Sequence, residues 1–288
     1  MEEKLNFAGL TGEYSELEKA KIVILPVPFD KTSFWLRGWT EGSEKGPEAI
    51  IKASQYMELY DIETDFSVCE KGIYTAEPIG ADSSKELVET VEAEVARLSS
   101  KGKFTVILGG EHTVSIGAIR AHAKQGVLTV VQLDAHTDLR DEYNEDPLSH
   151  ASVMARAREV ADIVQVGIRS MDDTELEKTE TGKIFYAKDL WNTESWIEEA
   201  VRSAGQKVYV TIDLDVFDTG IMPSTGSPEP GGLQWYQVLK FLKRLAEEKE
   251  IVGFDLVELS PNPQNKAPDF LAAKLVYAFL SYIFCRRE

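Results

Sequence analysis

Short apolar, β-branched runs alternate along this chain with longer segments whose apolar positions recur every three or four residues. The runs Lys21–Leu25, Phe104–Leu108, Leu128–Leu133, Ile163–Val166, Lys183–Tyr186, Val208–Ile212 and Ile251–Val257 predict strands. Most of them lack polar alternation, as strands covered on both faces do. Helical spacing predicts helices over Gly46–Leu59, Ser84–Ser99, Val114–Ala123, Ala151–Val160, Thr193–Ala204 and Trp235–Lys249. A closing helix runs from Phe270 to Cys285, with Asp269 at its start and Arg286-Arg287 suiting its negative end. Lys274 interrupts it, and it is too short to span a bilayer. Strands alternating with helices predict an α/β fold of three layers, α/β/α, around a mostly parallel sheet. No linker or repeat divides residues 1–288, which predicts one domain.

The polar residues that end these strands carry the chemistry. Leu128–Leu133 runs into Asp134-Ala-His136-Thr-Asp138, three strong metal ligands within five residues. Asp134 and His136 are two apart, so in extended chain they project to the same side. Phe104–Leu108 is followed by Gly109-Gly-Glu-His112, Val208–Ile212 by Asp213-Leu-Asp215, and Ile251–Val257 by Glu258. Parallel crossovers return the chain to one side, so all four endings share one edge of the sheet. That edge receives two imidazoles and five carboxylates. Carboxylates so close repel one another unless a cation lies between them.

Plainer readings stand beside each motif. Gly109-Gly110 before His112 can be a turn with a histidine cap, and Asp213-Leu-Asp215 alone a solvated pair. Following a buried strand, though, the Asp pair needs compensation for its desolvation. Asp218 reads as a turn residue leading into the Pro- and Gly-rich loop Pro223–Gly232. His150 is either a surface residue at a helix start or a mobile acid or base beside the metals. His122, mid-helix with nothing to pair with, reads as surface. Glu258 can bind Arg169 structurally or a cationic substrate.

Composition narrows the partners. A formal charge of −18 disfavours nucleic acid and anionic membranes and is compatible with a cationic substrate. No Gly-x-Gly-x-x-Gly or Walker pattern supports a nucleotide cofactor. Cys69 and Cys285 lie outside any ligand-like spacing and read as free thiols, which with the acidic start Met1-Glu-Glu-Lys points to the cytoplasm.

Together these segments resemble the ureohydrolases, the family of arginase and agmatinase. The resembling motifs are Gly109-Gly-Glu-His112, Asp134-Ala-His-Thr-Asp138, Asp213-Leu-Asp-Val-Phe-Asp218 and Thr225-Gly-Ser-Pro-Glu-Pro-Gly-Gly232. Gly46-Pro-Glu-Ala-Ile50 and Val257-Glu-Leu-Ser-Pro261 add weaker support. The resemblance implies two Mn²⁺ per subunit and a homo-trimer or homo-hexamer. Carried over by position, one ion falls to His112, Asp134, Asp138 and Asp213, the other to Asp134, His136, Asp213 and Asp215. An oxygen-rich, thiolate-free donor set agrees with Mn²⁺ on its own account. The resemblance further implies a metal-bridging hydroxide that attacks the guanidinium carbon. In it Glu258 orients the guanidinium, Asp138 takes a proton, and His150 in Ser149-His-Ala151 shuttles one.

The substrate is read from the rim. Leu139-Arg-Asp-Glu-Tyr143 stands where arginases carry Asn and Ser residues, and resembles agmatinases instead. Agmatine, giving putrescine and urea, is therefore the first expectation. N1-aminopropylagmatine and a guanidino acid such as guanidinobutyrate, which Arg140 can receive, remain open. Thr219 stands where Pro is usual and Ser224 where Gly is usual, which bears on substrate fit. Two other classes stand beside it: a non-catalytic metal-binding assembly protein, and a phosphate-ester hydrolase, which lacks basic residues to cradle phosphate.

Overall fold

The computed structural model describes residues 5–33 and 42–285. Eight strands form one sheet: β1 (Ile22–Val27), β2 (Ile73–Thr75), β3 (Phe104–Gly109), β4 (Thr129–Leu133), β5 (Asp162–Ile168), β6 (Ile184–Tyr186), β7 (Lys207–Asp213) and β8 (Glu250–Val257). Their order is β2-β1-β3-β8-β7-β4-β5-β6, and every pairing is parallel. Helices α1 (Gly46–Ser54), α2 (Ser84–Ser100), α3 (Ser115–Ala123), α4 (Val153–Ala157), α5 (Ala187–Leu190), α6 (Ser195–Ser203), α7 (Trp235–Glu248) and α8 (Ala267–Phe284) connect and cover them. This is the α/β/α arrangement that the alternation predicts.

The two covered faces have separate cores. One joins α1, α6, α7 and α8 to residues such as Ile22, Val106, Val210 and Phe254. The other joins α2, α3 and α4 to Leu25, Ile107, Val130 and Tyr209. Alternate residues of each strand thus go to opposite layers, and no face is left for water.

Differences from the sequence expectation lie at ends and in short elements. β2 and α5 escape detection because three or four residues carry no readable period. α1 stops at Ser54, whose hydroxyl donates to the Ile51 carbonyl and accepts from the N–H of Ala8. Helix α4 is only five residues, preceded by a tight turn at His150–Ser152. α8 begins at Ala267, so at 18 residues it is long and apolar enough to cross a membrane. It is nevertheless mostly buried, packed against α1 and α7. The pairing of Arg286-Arg287 with its end lies outside the described residues.

Strand order decides where the site forms. β3, β8, β7 and β4 are adjacent at the centre of the sheet, so their carboxyl ends abut. The chain runs outward from β1 through β2 on one side and from β4 through β6 on the other. The polar endings thus meet where the winding changes direction, which is where open α/β sheets leave a crevice.

Candidate active site

Each of the four central strands delivers its ending to one cavity of about 340 Å³. After β3 the chain must slip under the backbone that leaves β1: a Cβ on Gly110 would lie 2.1 Å from the Phe29 carbonyl oxygen. Only glycine allows that approach, and it sets His112 facing β4. His112 Nδ1 then lies 2.9 Å from Asp138 Oδ2, 3.2 Å from Asp134 Oδ2 and 3.7 Å from Asp213 Oδ2. A second group abuts the first, with His136 Nδ1 at 2.8 Å from Asp215 Oδ2 and 3.6 Å from Asp134 Oδ1. Asp134, fully buried, is common to both, one oxygen towards each histidine. The second Asp213 oxygen instead accepts the N–H of Asp215.

Two of these residues occupy backbone conformations that side chains avoid. Asp138 has φ +51° and Glu258 φ +67°, each costing on the order of 1–3 kcal/mol. Both are held by their surroundings. The Asp138 carbonyl accepts the Met154 and Ala155 N–H groups at the start of α4, and the following Leu139 N–H donates to buried Glu175. Glu258 donates its N–H to the Gly110 carbonyl and accepts the His112 N–H at Oε1, 2.8 Å. Its carboxylate lines the cavity.

Behind the acids, neutral donors fix their orientation. Gln132 Nε2 donates to Asp134 Oδ2 at 2.7 Å, and the Ala135 N–H to Asp215 Oδ1 at 2.8 Å. On the far side of His112, Nε2 meets the Thr211 hydroxyl at 2.8 Å, and that hydroxyl donates to Asp255 Oδ1. Tyr209 donates to the other Asp255 oxygen. With its one proton given to Asp255, Thr211 must accept from Nε2–H. His112 therefore turns a bare Nδ1 lone pair towards three carboxylates when neutral.

That arrangement is unfavourable without a cation. Burial, then Asp215 and Asp134, drives Asp213 well above the usual carboxylate range. Burial followed by the Asp134 charge lifts Asp138 to about 6. Burial and Glu111 raise Glu258 well above its ordinary value. Burial acts upward on Asp134 too, but contacts with His112 and His136 hold it below its usual value. The His112 Nδ1 atom is buried and makes no hydrogen bond. An unpaired imidazole nitrogen facing several carboxylate oxygens, with no thiolate nearby, fits hard or borderline divalent cations.

His150 reaches the same cavity from the turn before α4, its Nδ1 2.9 Å from the Thr32 hydroxyl. Burial, then the positive His112, lowers it to about 4, so it is neutral at pH 7. Every residue expected at the site thus lies on this rim.

Other expectations change. His122 is not on the surface: it is 6% exposed, packed on the Tyr209 ring, and burial lowers it to about 4. Arg169 does not pair with Glu258. It donates to the carbonyls of Gly167, Asp215, Phe217, Glu229 and Pro230, stapling the turn after β7 to the rim loop. Asp218 is the turn residue its context suggests, accepting the N–H groups of Gly220 and Gly231. Sequence reasoning assigned no role to Thr32, Glu111, Glu175 or Asp255. Asp255 alone left a signal, a charge inside an apolar strand.

Histidines and aspartates gathered at the carboxyl edge of a parallel sheet form two groups that could each hold a metal ion. The model of the Arginase family matches residues 20–281, and the chain belongs to that family as an agmatinase-like ureohydrolase. It is 38% identical over 277 residues to an N(1)-aminopropylagmatine ureohydrolase of Synechocystis sp., covering 91% of this chain and 89% of that one. It is 32% identical over 270 residues to an agmatinase of Pyrococcus horikoshii, covering 91% and 92%. The agmatine ureohydrolase of Thermoplasma volcanium has a similar structure, with a TM-score of 0.85 and 32% identity over 95% of this chain and 93% of that one.

Proposed function

We propose that the enzyme releases urea from a guanidino amine in a Mn²⁺-dependent reaction, with N1-aminopropylagmatine first and agmatine second. The observation that carries the reaction is the pair of carboxylate–imidazole groups sharing Asp134, with Glu258 in the same cavity. The substrate order follows the names borne by relatives at 38% and 32% identity, and reverses the one read from the rim sequence. The cavity supports a cation: among the described residues six carboxylates line it, and the one arginine there, Arg140, is paired with Asp172 at 3.2 Å. A neutralised Arg140 offers little to a guanidino acid.

His112, Asp134, Asp138 and Asp213 would hold one ion, and Asp134, His136, Asp213 and Asp215 the other. When bound, two such ions supply an ionised water at neutral pH and stabilise the charge of the tetrahedral carbon. The chain's own groups do the rest. Glu258, ionised once cations fill the cavity, pairs with the guanidinium and turns its carbon towards the attacking water. Asp138 accepts a proton from that water. His150, neutral and at the cavity wall, carries a proton to the departing amine. A homo-trimer or homo-hexamer in the cytoplasm completes the proposal.

Urea release from N1-aminopropylagmatine, agmatine, arginine and guanidinobutyrate, assayed with Mn²⁺, tests it. Both amines are expected to exceed both acids by more than tenfold in kcat/KM. Arginine preferred by the same margin would overturn the substrate class and leave the ureohydrolase reaction standing.

A further inference from the structure

Thr32 follows the exit of β1, and its hydroxyl sits where three segments meet. It lies 2.9 Å from Glu111 Oε1 and 2.9 Å from His150 Nδ1, and receives the His150 backbone N–H at 3.1 Å. Both Thr32 and Glu111 are buried. The Thr113 hydroxyl also lies 3.4 Å away, but its own proton goes to Glu111 Oε1. A hydroxyl gives one proton and offers two lone pairs, so the three shorter contacts exhaust it.

Who donates is settled by the neighbours. Glu111 Oε2 takes the backbone N–H groups of Thr32 and Ser33, and Oε1 takes the Thr113 hydroxyl. Burial raises Glu111 to about 7 against the pull of these donors. In its ionised form, with donors on both oxygens, it is the acceptor for the Thr32 proton as well. The lone pairs of Thr32 then have two claimants on His150, the backbone N–H and Nδ1. Nδ1 can occupy its lone pair only as a donor.

We propose that Thr32, oriented by Glu111, is a positioning residue that locks His150 in its Nδ1–H tautomer and leaves the Nε2 lone pair towards the cavity. The inference rests on the reading of His150 as proton carrier and states how it begins each cycle: as an acceptor. Nε2 takes the proton that Asp138 accepts as water adds to the guanidinium carbon, which leaves Asp138 ionised again. Nε2 returns that proton to the amine nitrogen as the carbon–nitrogen bond breaks, regenerating the neutral ring. The Nδ1–H···Oγ bond exists in both charge states, so the ring carries its proton without turning. Tyr143, edge-on to the ring at 5.4 Å, holds it from the side.

The chain has four histidines, so ¹⁵N-histidine labelling of the full protein gives four side-chain patterns, and His150→Asn assigns one. In protein loaded with diamagnetic Mg²⁺ at neutral pH, His150 is expected to show a protonated Nδ1 and an unprotonated Nε2. Thr32→Val, nearly isosteric, should shift that pattern towards the other tautomer. It should also lower kcat by about tenfold or more, with KM changed by less than about threefold. Thr32→Ser should restore both pattern and rate. A protonated Nε2 in the unmodified enzyme overturns the inference, as does an unchanged tautomer or an unchanged kcat in Thr32→Val. Because the tautomer is read without turnover, lack of urea release from any guanidine would strike the activity reading alone.

Discussion

His112 and His122 are ten positions apart in sequence and both buried, one just before α3 and the other in its last turn. At the rim, His112 faces Asp134, Asp138 and Asp213, and although burial opposes it, their contacts raise its affinity for a positive charge well above normal. At the other end, His122 faces the Tyr209 ring, and burial alone depresses it to about 4. The same side chain at similar depth is in one place a cation's partner and in the other a neutral filler. Burial does not make the site; the acids converging on one histidine do.

The largest effect that separates the two regions comes from the shared acid. Asp134→Asn removes the oxygen pair common to both groups, and should abolish metal uptake and turnover together. Elemental analysis and urea release would show it; a variant that keeps both would erase the distinction between the regions. Glu258→Gln should keep metal content and lower kcat/KM by about 10–100-fold, the worth of one charge-assisted pair. Asp255→Asn loosens the Thr211 anchor behind His112, and about 10–100-fold weaker metal binding is expected by calorimetry.

The smallest effect belongs to the other histidine and appears only in acid. His122 has a lowered pKa in the fold, so between pH 6.5 and about 4 the unfolded chain binds the extra proton. Its contribution is therefore intact above pH 6.5 and lost as pH falls towards 4, by about 3 kcal/mol at most. Denaturant melts of His122→Leu should show a shallower acid decline over that window. An identical slope would mean that His122 is not held neutral.

How much of this was visible beforehand differs between the same two regions. The rim was legible because its ligands end predicted strands, where one backbone segment fixes which way each side chain points. Its supports were not. Thr32 lies 79 positions from Glu111 and 118 from His150, and Glu175 lies 36 from Leu139, the partners that give them meaning. No local period records such distances. His122 was misread for the same reason: a helix pattern shows which face is polar, but Tyr209 and Gly253 cover it from strands far along the chain. β2 and α5 are too short to carry a period; β6 is no longer than β2, but its apolar run Ile184-Phe-Tyr186 stands out from the polar residues before it.

Anomalous scattering from crystals equilibrated with Mn²⁺ would locate the ions among these ligands. Two peaks are expected on the rim, one beside His112 and one beside His136, with Asp134 between them. A single peak, or none at saturating Mn²⁺ with His112 Nδ1 protonated against its three carboxylates, would contradict the two-ion site.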